Sequence, residues 1–279
     1  MTAPRPRRDV CLRITLTLVM GAAIALFAPA RPTAAAPPRS ATAGMTVGYA
    51  VFDRQTGRFT ERRNSTTRFR SASVVKLLIA LDQLWTRDPG RLSAKDRSRL
   101  TSMLRSSNDG AATYFWNRGG NRNVALRMAK RLKLRNTVPP PSSLRGWWGY
   151  VGISAEDVVR IYRFILDSAR RPVRDFIMGN LSQATTRAGD GFNQKFGLLT
   201  FAAPRAVKQG WSGFGGNPPS RAKIPGLDLR SDALHTTGTT GRNNRFVVAL
   251  FTLHGKGTRY ATACAKVTNL TRYLVPPKR

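Results

Sequence analysis

The chain has 279 residues, with 47 Lys and Arg against 14 Asp and Glu, a formal charge of +33. Two cysteines exclude a disulfide framework, and two histidines without a cysteine or acid cluster make no metal site, so neither a metal nor another cofactor is expected. The only long apolar run lies at the N-terminus, which leaves no candidate membrane span in the rest of the chain.

That run has the anatomy of an export leader. "MTAPRPRRDVCLR" is a basic opening, "ITLTLVMGAAIALFA" an apolar stretch too short for a comfortable bilayer span, and the small-residue sites at 28–30 and 33–35 suit a leader peptidase. Residues 1–36 are therefore expected to be a signal peptide, with "RRDV" at 7–10 compatible with a twin-arginine route and a stop-transfer anchor as the alternative. Removing five arginines and one aspartate leaves a charge of +29 on a secreted, extracytoplasmic protein. Behind an export signal, such a surface points to anionic cell-envelope polymers. Nucleic acid is not the expected partner, since the basic residues are dispersed without interleaved aromatics. A solvated arginine-rich surface with no single partner is the bland alternative. Cys11 falls in the leader before the apolar run, where a lipoprotein cysteine would not stand, and Cys264 reads as a core residue.

Residues 37–44 read as a linker of small residues and prolines. Strands are expected at 45–53 and 58–63, joined as a hairpin, followed by a helix over about 73–86. Ser93 with Asp96 three residues on starts a second helix, and further helices fit 109–117 and 123–132. A long loop covers 134–152, and 154–169 is the clearest amphipathic helix, with a further one near 172–183. Strands at 205–211, 231–240 and 245–253 and a helix over 258–274 complete the chain. This order lacks strand–helix–strand alternation. The expected fold is α/β of the α+β type: an antiparallel sheet built from both chain ends, flanked by helices, with a helical subdomain inserted. One domain spans 45–279, its sheet part 45–72 and 200–279 and its helical part 73–199. Asp53 and Asp82 read as surface or capping acids.

Within "RSASVVKLLIALDQLW" at 70–85, Lys76 stands three residues after Ser73 among apolar neighbours. That step puts both side chains on one helix face, the serine at the electropositive first turn and the lysine a turn deeper. Burial lowers a lysine's pKa and fits it to take the serine proton, a use that would repay its desolvation. The spacing alone is weak, since "SRAK" at 220–223 repeats it outside any helix. Downstream, Ser106-Ser107-Asn108 falls between two helices, where a hydroxyl can relay a proton and an amide can bind a substrate peptide group, although a helix cap is the simpler reading. In "VKQGW" at 207–211, Lys208 on a strand can hold a carboxylate, Gly210 admits an extended substrate, and the Trp211 N–H can complete an oxyanion hole with that of Ser73.

Ser73-x-x-Lys76, Ser106-x-Asn108 and Lys208-x-Gly210, in this order and setting, resemble the motifs of the penicillin-recognising serine hydrolases, the class A β-lactamases and DD-peptidases, over about residues 45–275. The resemblance implies a β-lactamase/transpeptidase-like fold and an acyl-enzyme on Ser73. Lys76 would be base, Ser106 proton relay, Asn108 substrate-positioning and Lys208 carboxylate-binding, with Trp211 an oxyanion donor. It also implies a substrate class, the D-amino-acid peptides of peptidoglycan or β-lactam-like amides. Three departures qualify it. Gln209 replaces a threonine, the first two motifs lie close together, and residues 131–153 contain no Asp or Glu to activate a deacylating water. Glu156 and Asp157 follow, at a helix head where acids are structurally favoured. A slowly deacylating hydrolase is therefore expected. The alternatives are a true β-lactamase with an unorthodox deacylation route and a non-catalytic envelope-binding protein that keeps the fold. Trp147 and Trp148 either line a groove or pin the proline-rich loop.

Overall fold

A computed structural model describes Met1, residues 37–214 and residues 223–275. The predicted leader at 1–36 lies outside the described residues. The chain N-terminal to the sheet forms a 3-10 turn at Arg39–Thr42 and is tied down, with Ala41 packed beside the last helix and Lys266 Nζ donating to Ala43 O at 3.2 Å.

Five strands form one antiparallel sheet in the order β2-β1-β7-β6-β5: β1 (Met45–Asp53), β2 (Arg58–Arg63), β5 (Arg205–Ser212), β6 (Asp232–Thr240) and β7 (Phe246–His254). Both chain ends contribute, as the element order predicts. A separate two-stranded pair, β3 (Phe69–Arg70) with β4 (Gly152–Ile153), is too short to leave a sequence signal, yet it fastens the long loop to the chain just ahead of Ser73.

Alternation along the strands divides the core. Ala50, Phe52, Ala249 and Phe251 face the helical layer, whereas Val47, Tyr49, Val51, Val248 and Leu250 face α7 (Tyr260–Leu274) through Ala263, Val267 and Leu270. The helical layer comprises α1 (Lys76–Leu84), α2 (Ala94–Arg105), α3 (Asp109–Arg118), α4 (Arg122–Arg131), α5 (Ala155–Arg163) and α6 (Arg171–Ser182). Caps fix their starts: Ser93 Oγ accepts from Asp96 N at 3.1 Å and Ser154 Oγ from Asp157 N at 3.2 Å. The amphipathic stretch expected as one helix over 154–169 is α5 followed by a π turn at Phe164–Ser168. α1 is buried along almost its whole length, the mark of a central helix. Asp82, expected as a surface or capping acid, instead holds α4 to it through Arg127, Oδ2 to Nη2 at 2.8 Å, with its side chain only 5% exposed. Asp53 is likewise buried, paired with Arg245 at 2.7 Å, while also accepting from Gln55 N in the first turn after β1.

Candidate active site

The turn that carries Ser73 is tied down on both sides. Arg70, fully buried, sends its guanidinium to three backbone carbonyls: Asp228 O at 3.1 Å, Ser212 O at 3.0 Å and Ser231 O at 2.6 Å. Its own carbonyl accepts from His235 Nε2 at 2.9 Å, and the other ring nitrogen faces Thr252 N at 3.3 Å, which fixes a neutral Nε2–H tautomer. Burial pulls the His235 pKa down to about 3, so the ring stays neutral at any physiological pH. Ser71 N donates to Val151 O at 2.8 Å. Between these ties Ala72 adopts φ 45°, a left-handed conformation that costs a non-glycine residue about 1 kcal/mol or more and that the surroundings must impose. Ser73 follows in a 3-10 turn, Ala72–Val75, and Lys76 begins the α-helix proper. Gly210 on β5 lies against this turn. A Cβ there would stand 3.1 Å from Val74 Cγ2 and 3.4 Å from Ser73 N, so any side chain would require the turn to give by a few tenths of an ångström.

Lys76, with no exposed surface, sits at the centre of a polar knot. Its Nζ donates to Ser73 Oγ at 2.8 Å, Ser107 O at 2.6 Å, Ser107 Oγ at 3.1 Å and Asp109 Oδ1 at 2.6 Å, and lies 4.6 Å from the centre of the Trp148 ring. Burial pulls the ammonium down to about 8 against the opposing pull of Asp109. Lys208, also buried, reaches Ser107 Oγ at 2.7 Å and Gln209 O at 3.2 Å. Burial, and then the charge of Lys76, push its pKa well below the ordinary lysine value.

The middle motif needs a correction of one residue. Ser106, predicted as relay, ends α2, and its Oγ donates back to Ser102 O at 2.9 Å, away from the knot. Ser107 takes the place between the two lysines, at φ 56°. Asn108, predicted to position substrate, spends its Oδ1 on Ala111 N at 2.8 Å as the cap of α3, and Asp109 is the residue that meets Lys76. The stretch "SSND" carries both registers at once. Only the helix boundary, with Ser106 closing α2 and Asn108 opening α3, chooses between them.

Ser73 and Lys76 meet as their spacing predicts, Lys208 and Gly210 join them as the resemblance implies, and Trp211 follows Gly210 near the end of β5. The Trp211 indole donates to Asp190 Oδ2 at 3.0 Å. Gln209 points to the other face of the strand, its amide donating to Gln194 O at 3.1 Å and Phe196 O at 2.6 Å, so it braces the segment before β5. The acids after the long loop are occupied elsewhere. Glu156 accepts from Ser65 Oγ at 2.7 Å, and Asp157 holds the loop through Arg135 N, Asn136 N and Thr137 Oγ1 at 2.7–3.0 Å. On the loop side of Lys76 the structure puts the Trp148 ring, its indole donating to Thr113 Oγ1 at 3.1 Å, while Trp147 stacks outward on Tyr150. Among the described residues no cluster of three His, Cys, Asp or Glu side chains is arranged to hold a metal.

No family model matches the chain. "Putative lipoprotein LppW" of Mycobacterium tuberculosis, and its counterpart in Mycobacterium bovis, are 35% identical to it over 248 residues, which cover 86% of this chain and 73% of theirs. Among solved structures, a class A β-lactamase from Bacteroides cellulosilyticus superposes with a TM-score of 0.62 at 15% identity, covering 83% of this chain and 91% of that one. A mutant of PBP-A, solved as an acyl-enzyme complex with penicillin G, gives a TM-score of 0.63 at 12% identity, covering 84% and 90%. The chain thus belongs to the family of LppW, and its body has the fold of the penicillin-recognising serine hydrolases.

Proposed function

We propose that this protein is a serine acyl-enzyme former of the cell envelope, whose acyl group leaves slowly. The contact that carries the reading is Ser73 Oγ at 2.8 Å from the buried Lys76 Nζ, with Ser107 linking Lys76 to Lys208. Ser73 attacks an amide or lactam carbonyl and Lys76 receives its proton. The backbone N–H groups of Ser73 and Trp211 face the developing oxyanion, and Ser107 passes a proton to the departing nitrogen. The substrates are D-amino-acid peptides of peptidoglycan or β-lactam mimics of them. Lys208, Gly210 and the β5 edge receive an extended substrate ending in a carboxylate.

Slow release follows from what flanks Lys76. Residues 131–153 hold no carboxylate, and an indole ring occupies the loop side, where a base and its water would have to stand. An extracytoplasmic location rests on the leader-like residues 1–36 and on the lipoprotein name of the relatives. No helix among the described residues is long and apolar enough to cross a membrane. Exposed arginines such as Arg58, Arg62 and Arg63 on β2 suit a surface held against anionic envelope polymers. Labelling by a fluorescent penicillin tests the acylation step. The wild type should become covalently labelled and Ser73→Ala should not. A folded wild type that stays unlabelled would leave the envelope-binding reading in its place.

A further inference from the structure

Two lysines and a single hydroxyl form the centre of the site, and the positions of the hydrogens can be counted. Lys76 Nζ is surrounded by acceptors: a carboxylate, a carbonyl, two hydroxyl oxygens and an aromatic face. That environment suits three N–H groups and a full positive charge. Among the described residues, Lys208 Nζ has two hydrogen-bond partners, Gln209 O and Ser107 Oγ. Were both lysines ammonium, Ser107 Oγ would accept from both and its own hydrogen would have no acceptor among its partners. With Lys208 a neutral amine, the Ser107 hydrogen gains an acceptor: the amine donates one hydrogen to Gln209 O and accepts the Ser107 O–H on its lone pair across the shorter, 2.7 Å contact. The opposite assignment, Lys76 neutral and Lys208 charged, would leave Asp109 facing an uncharged amine at 2.6 Å and a buried ammonium without a carboxylate.

We propose that Asp109 is a positioning residue: it keeps the one proton of the Lys76–Ser107–Lys208 chain on Lys76 in the free protein, and a substrate carboxylate arriving at Lys208 draws that proton across and frees Lys76 as the base. The charged groups facing the pair are Asp109 on α3 and Asp190 on the segment before β5. The exposed Asp190 carboxylate is engaged by the Trp211 indole and Phe192 N. Behind Lys208, Tyr162 of α5 bonds Thr237 Oγ1 at 3.2 Å, and burial pushes its hydroxyl far up, so it stays neutral. Burial acts in the same direction on both lysines, holding Lys76 near 8 and pushing Lys208 well below its ordinary value.

The protons balance. Lys76 passes a proton to Ser107 Oγ while Ser107 passes its own to Lys208. Neutral Lys76 then takes the Ser73 hydrogen as Ser73 Oγ bonds to the carbonyl carbon and the C=O pair moves to oxygen. When the intermediate collapses and the C–N bond breaks, Ser107 protonates the nitrogen and is reprotonated by Lys208. The lysines end as they began, and the Ser73 hydrogen has in effect moved to the leaving amine. A substrate without the carboxylate leaves the proton on Lys76 and reacts slowly.

The resting proton position can be read without any acylation, although the trigger rests on the acyl-enzyme reading. In full-length protein carrying lysine labelled at Cε and Nζ, with Lys76 and Lys208 assigned through bonds, the Lys76 resonances should be those of an ammonium and the Lys208 resonances those of an amine at pH 7. Asp109→Asn, an isosteric change at a half-exposed side chain, should lower the Lys76 midpoint by about one to three pH units. Two ammonium groups, a neutral Lys76 beside a charged Lys208, or an unmoved midpoint would overturn the proposal. For the trigger, the wild type should be acylated by penicillin G much faster than by its methyl ester, and Asp109→Asn should shrink that ratio by about tenfold or more. An unchanged ratio would refute the trigger. A wild type acylated by neither compound would remove the trigger together with the acyl-enzyme reading, while the resonances would still decide where the proton rests.

Discussion

Two buried cationic clusters lie on either side of Ser73 and solve desolvation in opposite ways. Arg70 is solvated by three backbone carbonyls, and its own carbonyl is held by a neutral His235, so nothing there exchanges a proton at physiological pH. Lys76 and Lys208 share one hydroxyl and touch one carboxylate, fewer acceptors than two full charges would need. The first cluster is built from groups that keep one protonation state at physiological pH, and it serves as an anchor. The second is built from groups that can, and its protons are free to move. Carbonyls and guanidinium fix geometry, whereas amines bridged by a hydroxyl leave a choice of proton position.

Substitutions can separate the two roles. Lys76→Met should lower the acylation rate by about 10²–10⁴-fold, the span of a lost general base, while changing urea stability little because a buried charge is exchanged for an apolar chain. Arg70→Met should do the reverse in kind. Removing the shared donor of three part-buried carbonyls should cost about 1–3 kcal/mol in urea melts, and activity should fall only with the folded fraction. The histidines set a smaller, pH-borne effect. Because burial holds His235 near 3, below its ordinary 6.5, the unfolded chain binds the proton first, and stability present above pH 6.5 is lost as pH falls toward 3. Between pH 6.5 and 5 this amounts to roughly 2 kcal/mol, to which His254, held near 4, adds in the same direction. His235→Gln should flatten that slope in melts at matched ionic strength. The smallest effect is expected at Trp148. Replacing the ring by leucine removes a cation–π contact worth about 0.5–2 kcal/mol and admits water, so an existing adduct should clear several-fold faster with its formation little changed.

The sheet was legible because its strands alternate or run apolar in stretches of six to nine residues, and β1 and β2 have the bounds the sequence predicts. Lys76 was legible because an apolar helix has no structural use for a lysine. The register of the middle motif was not. Adjacent serines present the same chemistry, and the choice of Ser107 over Ser106 depends on where α2 runs out of hydrogen bonds and on a left-handed φ of 56° that no side chain announces. Asp109 was hidden in the same way, one residue beyond the amide taken as the polar end of the motif. Arg70 and His235 left no signal because their partners are carbonyls and strands far along the chain, brought together only by the sheet. Trp148 could be read as groove or brace, and the fold puts it on Lys76 by pairing β3 with β4.

Under the proposed function, Ser73 forms an acyl-enzyme that lingers. Intact mass followed over time after mixing with excess penicillin G tests it most directly, with Ser73→Ala in parallel. The account predicts one penicilloyl group per chain, persisting long after free drug is removed and absent from the variant. A wild type that never gains the mass, gains it equally in Ser73→Ala, or loses it within seconds as hydrolysed product accumulates would contradict the account.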